Sequence, residues 1–150
     1  MNTMMSRAFC AGAALLAAIG GCAPDDRCGP QTARVVRVVD GDTLDLDDGD
    51  RVRILGIDAP ETGPAPECGG LEAFRSLAAA AEGRRVTLAY GPTCRDRHGR
   101  LLAHVRVGGV LAGQQLLAAG LACPCFPEPG DDHQQQFLEA AQVARARGLG

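Results

Sequence analysis

From residue 33 onward, apolar and polar positions trade places with two different periods, and the changes of period divide the chain into elements. Ala33 to Val39 is rich in Val and predicts a first strand. Thr43 to Asp47 and Asp50 to Ile57 alternate or run apolar on either side of Asp48-Gly49, a turn signal, and predict a hairpin. Thr62 to Gly70 is crowded with Pro and Gly and predicts a loop. The period then lengthens: Leu71 to Glu82 is Ala-rich and predicts a helix closed by Gly83. Alternation returns in Arg84 to Tyr90 and in Leu101 to Val107, with the polar stretch Gly91 to Arg100 between them as a turn. Val110 to Ala119 predicts a short helix closed by Gly120, and Cys123 to Gly130 an irregular segment. Asp131 or Asp132 can cap a last helix to Arg147, with Phe137, Ala140, Ala141 and Ala144 on its buried face.

Three strands, a helix, two strands and two helices, with no internal repeat, predict an α+β fold dominated by β. The arrangement that fits is a five-stranded Greek-key barrel of the OB type with three α-helices, spanning residues 33–150. The length of 150 residues allows one domain with a real core, and 46% hydrophobic residues argue for a folded chain.

Residues 1–22 follow a different pattern. Arg7 precedes the apolar run Ala8 to Ile19, which is too short for a membrane span and predicts an export signal. Its end, Ile19-Gly20-Gly21-Cys22, is similar to a bacterial lipobox, in which Cys22 carries lipid; ordinary signal-peptidase cleavage after Gly21-Cys22-Ala23 would leave Pro24 as the first mature residue. Residues 23–32 predict a tether. The expected location is therefore the bacterial cell envelope, anchored on Cys22, or the medium if the lipobox is not used. Cys28, Cys68, Cys94, Cys123 and Cys125 remain for an oxidising compartment; their number is odd, and their connectivity is left open by their spacing. Cys123-Pro124-Cys125 lacks a second pair with finger-like spacing, so structural disulfides are expected rather than zinc.

The formal net charge of −3 excludes a protein that holds polyanions by bulk charge, so any nucleic-acid contact needs a local cluster of cations. All fifteen basic residues are Arg, each permanently charged and able to grip phosphate with two parallel hydrogen bonds. The predicted hairpin brings Asp40 and Asp42 back toward Asp58 and Glu61, with Arg53 one strand away. Gathered carboxylates repel unless compensated, and a hard divalent cation with oxygen ligands compensates them. An EF-hand beginning at Asp45 fails, lacking Gly at its sixth position and Glu at its twelfth. Singly, each of these pieces is weak: Asp-Gly pairs usually mark turns, and Arg53 and Arg100 could be ordinary surface residues.

Jointly they are specific. Asp40-Gly41-Asp42-Thr43, Arg53 through Glu61 (RILGIDAPE) and Asp96-Arg97-His98-Gly99-Arg100 resemble the staphylococcal nuclease family, as do the Gly120-Leu121-Ala122 turn and the Ala/Arg-rich last helix. The resemblance covers roughly residues 33–149. It implies a Ca2+-dependent endonuclease, acting as a monomer on single-stranded or duplex DNA and RNA and leaving 3′-phosphates. By the same resemblance Asp42, Asp58 and the Ala59 backbone carbonyl would ligate calcium, and Asp40 and Thr43 would hold metal-bound water. Arg53 and Arg100 would grip the scissile phosphate, and Glu61 would orient or deprotonate the attacking water. Arg97, His98 and Phe126 would contact substrate; the family usually has Tyr at the position of His98 and tyrosines near Phe126, so a poorer stacking platform is expected. A non-catalytic OB-type binding module of the envelope is the alternative, and a structural lipoprotein with a relic site is a further one.

Overall fold

A computed structural model describes residues 27–127 and 129–150. The proposed signal at 1–22, including Cys22, and residues 23–26 of the tether lie outside the described residues. The described chain runs β1 (Thr32–Val38), β2 (Thr43–Leu46), β3 (Arg51–Ile54), β4 (Gly56–Asp58), α1 (Gly70–Ala81), β5 (Arg85–Arg95), β6 (Leu101–Val107), β7 (Val110–Leu111), α2 (Ala112–Ala118), β8 (Cys123–Cys125) and α3 (Gln134–Ala146).

Antiparallel pairing joins β3, β2, β1, β5 and β6 in that order, and a parallel pairing of β3 with β6 closes them into a five-stranded barrel. This is the predicted OB-type barrel with three helices. Closure removes the exposed edges that an open sheet of this size would present. Alternation along each strand sends Val35, Leu44, Leu46, Val52, Ile54, Val86, Leu88, Leu101 and Val105 inward, all nearly inaccessible to solvent. The helices extend this core through Leu77, Leu116, Leu117 and Phe137.

Several boundaries differ from the sequence reading, each for a non-local reason. The expected strand Asp50 to Ile57 breaks at Leu55, because Gly56 takes a left-handed φ of 80° and turns the chain out of the barrel. Beyond the break, β4 pairs with β8, so part of the supposedly irregular Cys123 to Gly130 segment is a strand. Strand β5 runs on through the expected turn to Arg95. Its register against β6 jumps from Tyr90↔Ala103 to Arg95↔Leu101, a bulge of Gly91 to Cys94. Val110 and Leu111 pair with β6 rather than opening α2. His133, not Asp131 or Asp132, occupies the N-cap position of α3, and Asp131 instead accepts a hydrogen bond from the His133 amide at 2.8 Å. One disulfide joins Cys28 to Cys94, while Cys68, Cys123 and Cys125 are exposed free thiols. No helix among the described residues is long and apolar enough to cross a membrane.

Candidate active site

Asp42 sits in the tight loop between β1 and β2 and is almost wholly buried. Gly41 makes that possible: a Cβ there would lie 2.6 Å from the Ala59 Cβ and 2.7 Å from the Ala73 Cβ. Only a residue without a side chain lets the loop pack under Ala59 and α1. One carboxylate oxygen of Asp42 accepts from the Ala59 amide at 2.9 Å, and the other from the Thr43 hydroxyl at 3.0 Å. The Asp42 amide donates to Asp40 at 3.1 Å.

Arg53 is the hub. Its Nη1 lies 2.8 Å from Asp42 Oδ2 and its Nη2 2.6 Å from Asp58 Oδ1. Nη1 also donates to the backbone carbonyls of Ile54 (3.1 Å) and Ile57 (2.9 Å). The turn at Leu55-Gly56 aims those carbonyls back at the guanidinium, so the break in the strand is what builds the nest for Arg53. Burial pushes the Asp42 carboxyl up to about 6; the Arg53 charge and the Ala59 amide oppose this, and Asp40 adds to it. One guanidinium therefore leaves Asp42 short of positive charge.

Arg100 closes the turn after β5. Its Nε donates to Asp96 Oδ2 at 2.7 Å, while Asp96 Oδ1 receives the amides of His98 (2.8 Å) and Arg100 (3.0 Å). The hydrogen bonds of Asp96 to Arg100 and to these amides outweigh its partial burial and hold its carboxyl below the usual range. Arg100 is thus fixed by Nε and its amide, and neither Nη is committed to a protein group among the described residues. Arg53 and Arg100 line one cavity of about 570 Å³.

The other expected site residues are placed as follows. Asp58 is exposed and bonded to Arg53 but does not line the cavity. Glu61 is exposed and stands outside it, its amide donating to the Glu67 carboxylate at 3.1 Å. The expected convergence of four carboxylates is looser than the hairpin suggested, for no three His, Cys, Asp or Glu side chains gather as a ligand cluster among the described residues. Arg97 and His98 are exposed and bonded to each other, Nε to Nε2 at 3.0 Å. Phe126 packs against the core, its ring 6.3 Å from that of Phe137, and does not line the cavity.

Sequence reasoning missed part of the cavity wall. Tyr90 lines it, its hydroxyl donating to the Pro30 carbonyl at 2.7 Å, and burial pushes its phenol up to about 12. His104, Asp131 and His133 form a polar part of its lining: His104 Nε2 lies 3.0 Å from Asp131 Oδ2, and the two imidazoles meet edge to face at 4.6 Å. His104 Nδ1 is buried with no hydrogen-bond partner. Tyr90 carried a signal, being the only tyrosine in the chain. His104 carried none, because its burial depends on the start of α3 folding over β6.

The donor set suits a hard divalent cation. Asp42 and Asp58 turn oxygens to the same positive group, the Ala59 carbonyl follows directly, and Asp42 is under-neutralised by Arg53 alone. A closed OB-type barrel that sets two arginines on one cavity, with oxygen donors behind one of them, defines a class of proteins built to handle phosphate esters. The model described as "Staphylococcal nuclease homologue" matches residues 51–150, and the chain belongs to that family. A thermonuclease of Staphylococcus hyicus is 34% identical over 121 residues, covering 77% of this chain and 72% of that protein. The thermonuclease of Staphylococcus intermedius matches to the same extent. A protein of Escherichia coli O157:H7 described as an uncharacterized endonuclease is 37% identical over 126 residues, covering 81% and 78%.

Proposed function

We propose that the protein is a Ca2+-dependent endonuclease that hydrolyses DNA and RNA, breaking the bond from phosphorus to the 5′ oxygen and leaving 3′-phosphates. The observation that carries this reading is the placement of Arg53 and Arg100 on one cavity, the first backed by Asp42 and Asp58. A phosphodiester repels an incoming hydroxide, so charge must be neutralised before attack. Arg100 can offer both Nη groups to phosphate oxygens without giving up its bond to Asp96, while Arg53 donates from a nest fixed by two carbonyls. Both act where the five-coordinate transition state accumulates negative charge. Ca2+ held by Asp42, Asp58 and the Ala59 carbonyl, with Asp40 and Thr43 behind it, would supply further positive charge and neutralise those carboxylates. Glu61 orients the attacking water or takes its proton. The exposed Arg97 and His98 meet the flanking nucleotide, and Phe126, packed against the core beside Phe137, adds no stacking platform. Residues 1–22 direct export, Cys22 carries the lipid anchor, and the stretch after it, up to the Cys28–Cys94 bond, tethers a monomeric domain to the cell envelope.

The test is cleavage of single-stranded and duplex DNA and of RNA, with calcium or with a chelator, beside an Arg100→Ala control. Calcium-dependent cutting that falls by about 100- to 1,000-fold in the control is expected. DNA bound but never cut would favour a non-catalytic binding module instead. Labelling with a radioactive fatty acid, lost in Cys22→Ser, is the expected mark of the anchor; a wild-type chain without label would refute it.

A further inference from the structure

The arginines on the outside of the barrel fall into two groups. On one side each has a carboxylate. Asp45 lies 2.6 Å from both Arg37 and Arg51, and Asp50 takes Arg95 through two bonds of 2.9 and 3.0 Å. On the other side Arg34, Arg85 and Arg106 have no acidic side chain within ion-pair distance among the described residues. Asp47, the carboxylate bonded to this segment, takes the Arg34 amide at 3.0 Å, and Arg106 donates to the Gly109 carbonyl at 3.2 Å.

The register of the strands puts these three residues together. Arg34 on β1 is the direct partner of Arg85 on β5, and Thr32 of Thr87. Thr87 is in turn the partner of Arg106 on β6, and Ala89 of His104. Direct partners in an antiparallel pair, and residues two apart on a strand, share one face of the sheet. The intervening residues Ala33, Val86, Leu88 and Val105 are buried inside the barrel, so this face is the outer one. At one end of it Ala89 and His104 line the cavity that holds Arg53 and Arg100. From there a band of Thr and Arg side chains, with no carboxylate on those strand positions, runs about 13 Å along β5 to the Arg34–Arg85 pair. Like charges placed directly opposite destabilise a sheet. A chain of net charge −3 that neutralises its other sheet arginines, Arg106 apart, has left this pair exposed to each other.

We propose that the outer face of β1, β5 and β6, marked by Arg34, Arg85 and Arg106 with Thr32 and Thr87, is a track for the sugar–phosphate backbone of the substrate strand beyond the scissile phosphate. This rests on the reading that the substrate is nucleic acid. The occupant is a nucleic-acid strand because the face is continuous with the cleft and offers forked donors without base-reading depth, which matches a repeating anion. The consequence is a preference for long over short substrates that does not depend on sequence.

The experiment compares the full chain with Arg34→Gln/Arg85→Gln/Arg106→Gln and with the corresponding triple Arg→Lys variant. A long single-stranded DNA and a minimal thymidine phosphodiester that fills only the cleft serve as substrates, over a series of salt concentrations. For the Gln variant the slope of log affinity against log salt on the long strand should fall by about 2, and affinity at 0.1 M salt by roughly ten- to one-hundred-fold. Cleavage of the minimal substrate should keep its kcat and KM, and the Lys variant should restore most of the salt slope. Equal affinities and slopes for wild type and Gln variant overturn the track, as does an equal loss on both substrates, which would place these arginines in the cleft. Loss of binding to anionic lipid vesicles with DNA binding intact would also overturn it, in favour of a membrane-facing surface. A wild type that binds the long strand but cuts neither substrate refutes the nuclease reading alone, and the salt slopes still decide the track.

Discussion

At the scale of single residues, the two phosphate-directed arginines differ in how they are held. Arg53 is held through both Nη groups, by Asp42, Asp58 and two carbonyls, whereas Arg100 is clamped only through Nε and its amide. A lysine at either position keeps the charge but loses the fork. Arg100→Lys is therefore expected to lose about 100-fold or more in kcat with a smaller effect on stability, since its side chain makes one partly buried ion pair, to Asp96. Arg53→Lys should lose activity and stability together, because a single ammonium cannot serve two carboxylates and two buried carbonyls. A melting curve beside the assay separates the two. His104 gives a prediction in pH. Burial lowers its pKa below the usual 6.5, with His133 and Arg106 acting the same way and Asp131 opposing. The native state thus prefers the neutral ring, and this contribution to stability is present above pH 6.5 and lost as the pH falls below it. His104→Gln should flatten the fall in melting temperature between pH 7 and 5 relative to wild type; an unchanged slope would show that His104 is not the group responsible.

At the scale of elements, the short strand β4 decides whether the site exists. Gly56 allows the chain to leave β3, returns two carbonyls to Arg53 and delivers Asp58. A Cβ at Gly56 would meet the Phe137 ring at 2.7 Å and Phe126 at 3.2 Å, in a backbone conformation that L-residues avoid. Gly56→Ala is expected to cost about 2–4 kcal/mol, from the left-handed φ and the overpacking together, and to lower activity by moving Asp58. Denaturant titration and the cleavage assay check both halves. The same element shows where the sequence stopped being legible. The period-two pattern of Thr43–Asp47 and Asp50–Ile57 gives β2, β3 and the turn between them correctly, and the spacing of DGDT to RILGIDAPE puts Asp42, Arg53 and Asp58 in contact. The break at Leu55 is invisible, because Ile54, Leu55 and Ile57 are all apolar and the reason for turning lies in Phe137 and β8, far along the chain. The same holds for His104, whose alternation with Leu102 and Arg106 reads as a surface position until α3 folds over it. Local periodicity records which face a residue takes on its own strand; it does not record what a distant element later lays across that face.

At the scale of the whole molecule, the barrel is pinned beside its cavity, whose lining includes Arg27 and Thr93, the neighbours of Cys28 and Cys94. The Cys28–Cys94 bond closes a loop with a sequence separation of 66 and ties the entering chain to the bulge of β5. Around it Tyr90 donates to the Pro30 carbonyl, and Gly29 has no room for a Cβ, which would lie 2.8 Å from the Tyr90 hydroxyl. Gly91, Pro92 and Thr93 of the bulge form one wall of the cavity, and Arg95, next to Cys94, is held bidentately by Asp50 across the turn of the first hairpin. Arg100, by contrast, takes its orientation from Asp96, which the disulfide does not touch. Chain entropy for a loop of this size gives about 4 kcal/mol, and native disulfides typically deliver about 2–4. Cys28→Ser/Cys94→Ser is accordingly expected to unfold at a denaturant midpoint lower by about 2–4 kcal/mol of stability. It should still cut DNA when folded, with KM raised more than kcat is lowered, because the loosened wall contacts substrate while the arginines keep their supports. A kcat loss as large as that of Arg100→Ala would instead show that the disulfide positions the reacting groups themselves. The three free thiols among the described residues supply the internal control. Cys68, Cys123 and Cys125 are exposed and unbonded, so Cys68→Ser should change neither the midpoint nor the kinetics, and the effect of the double variant can be assigned to the lost bridge.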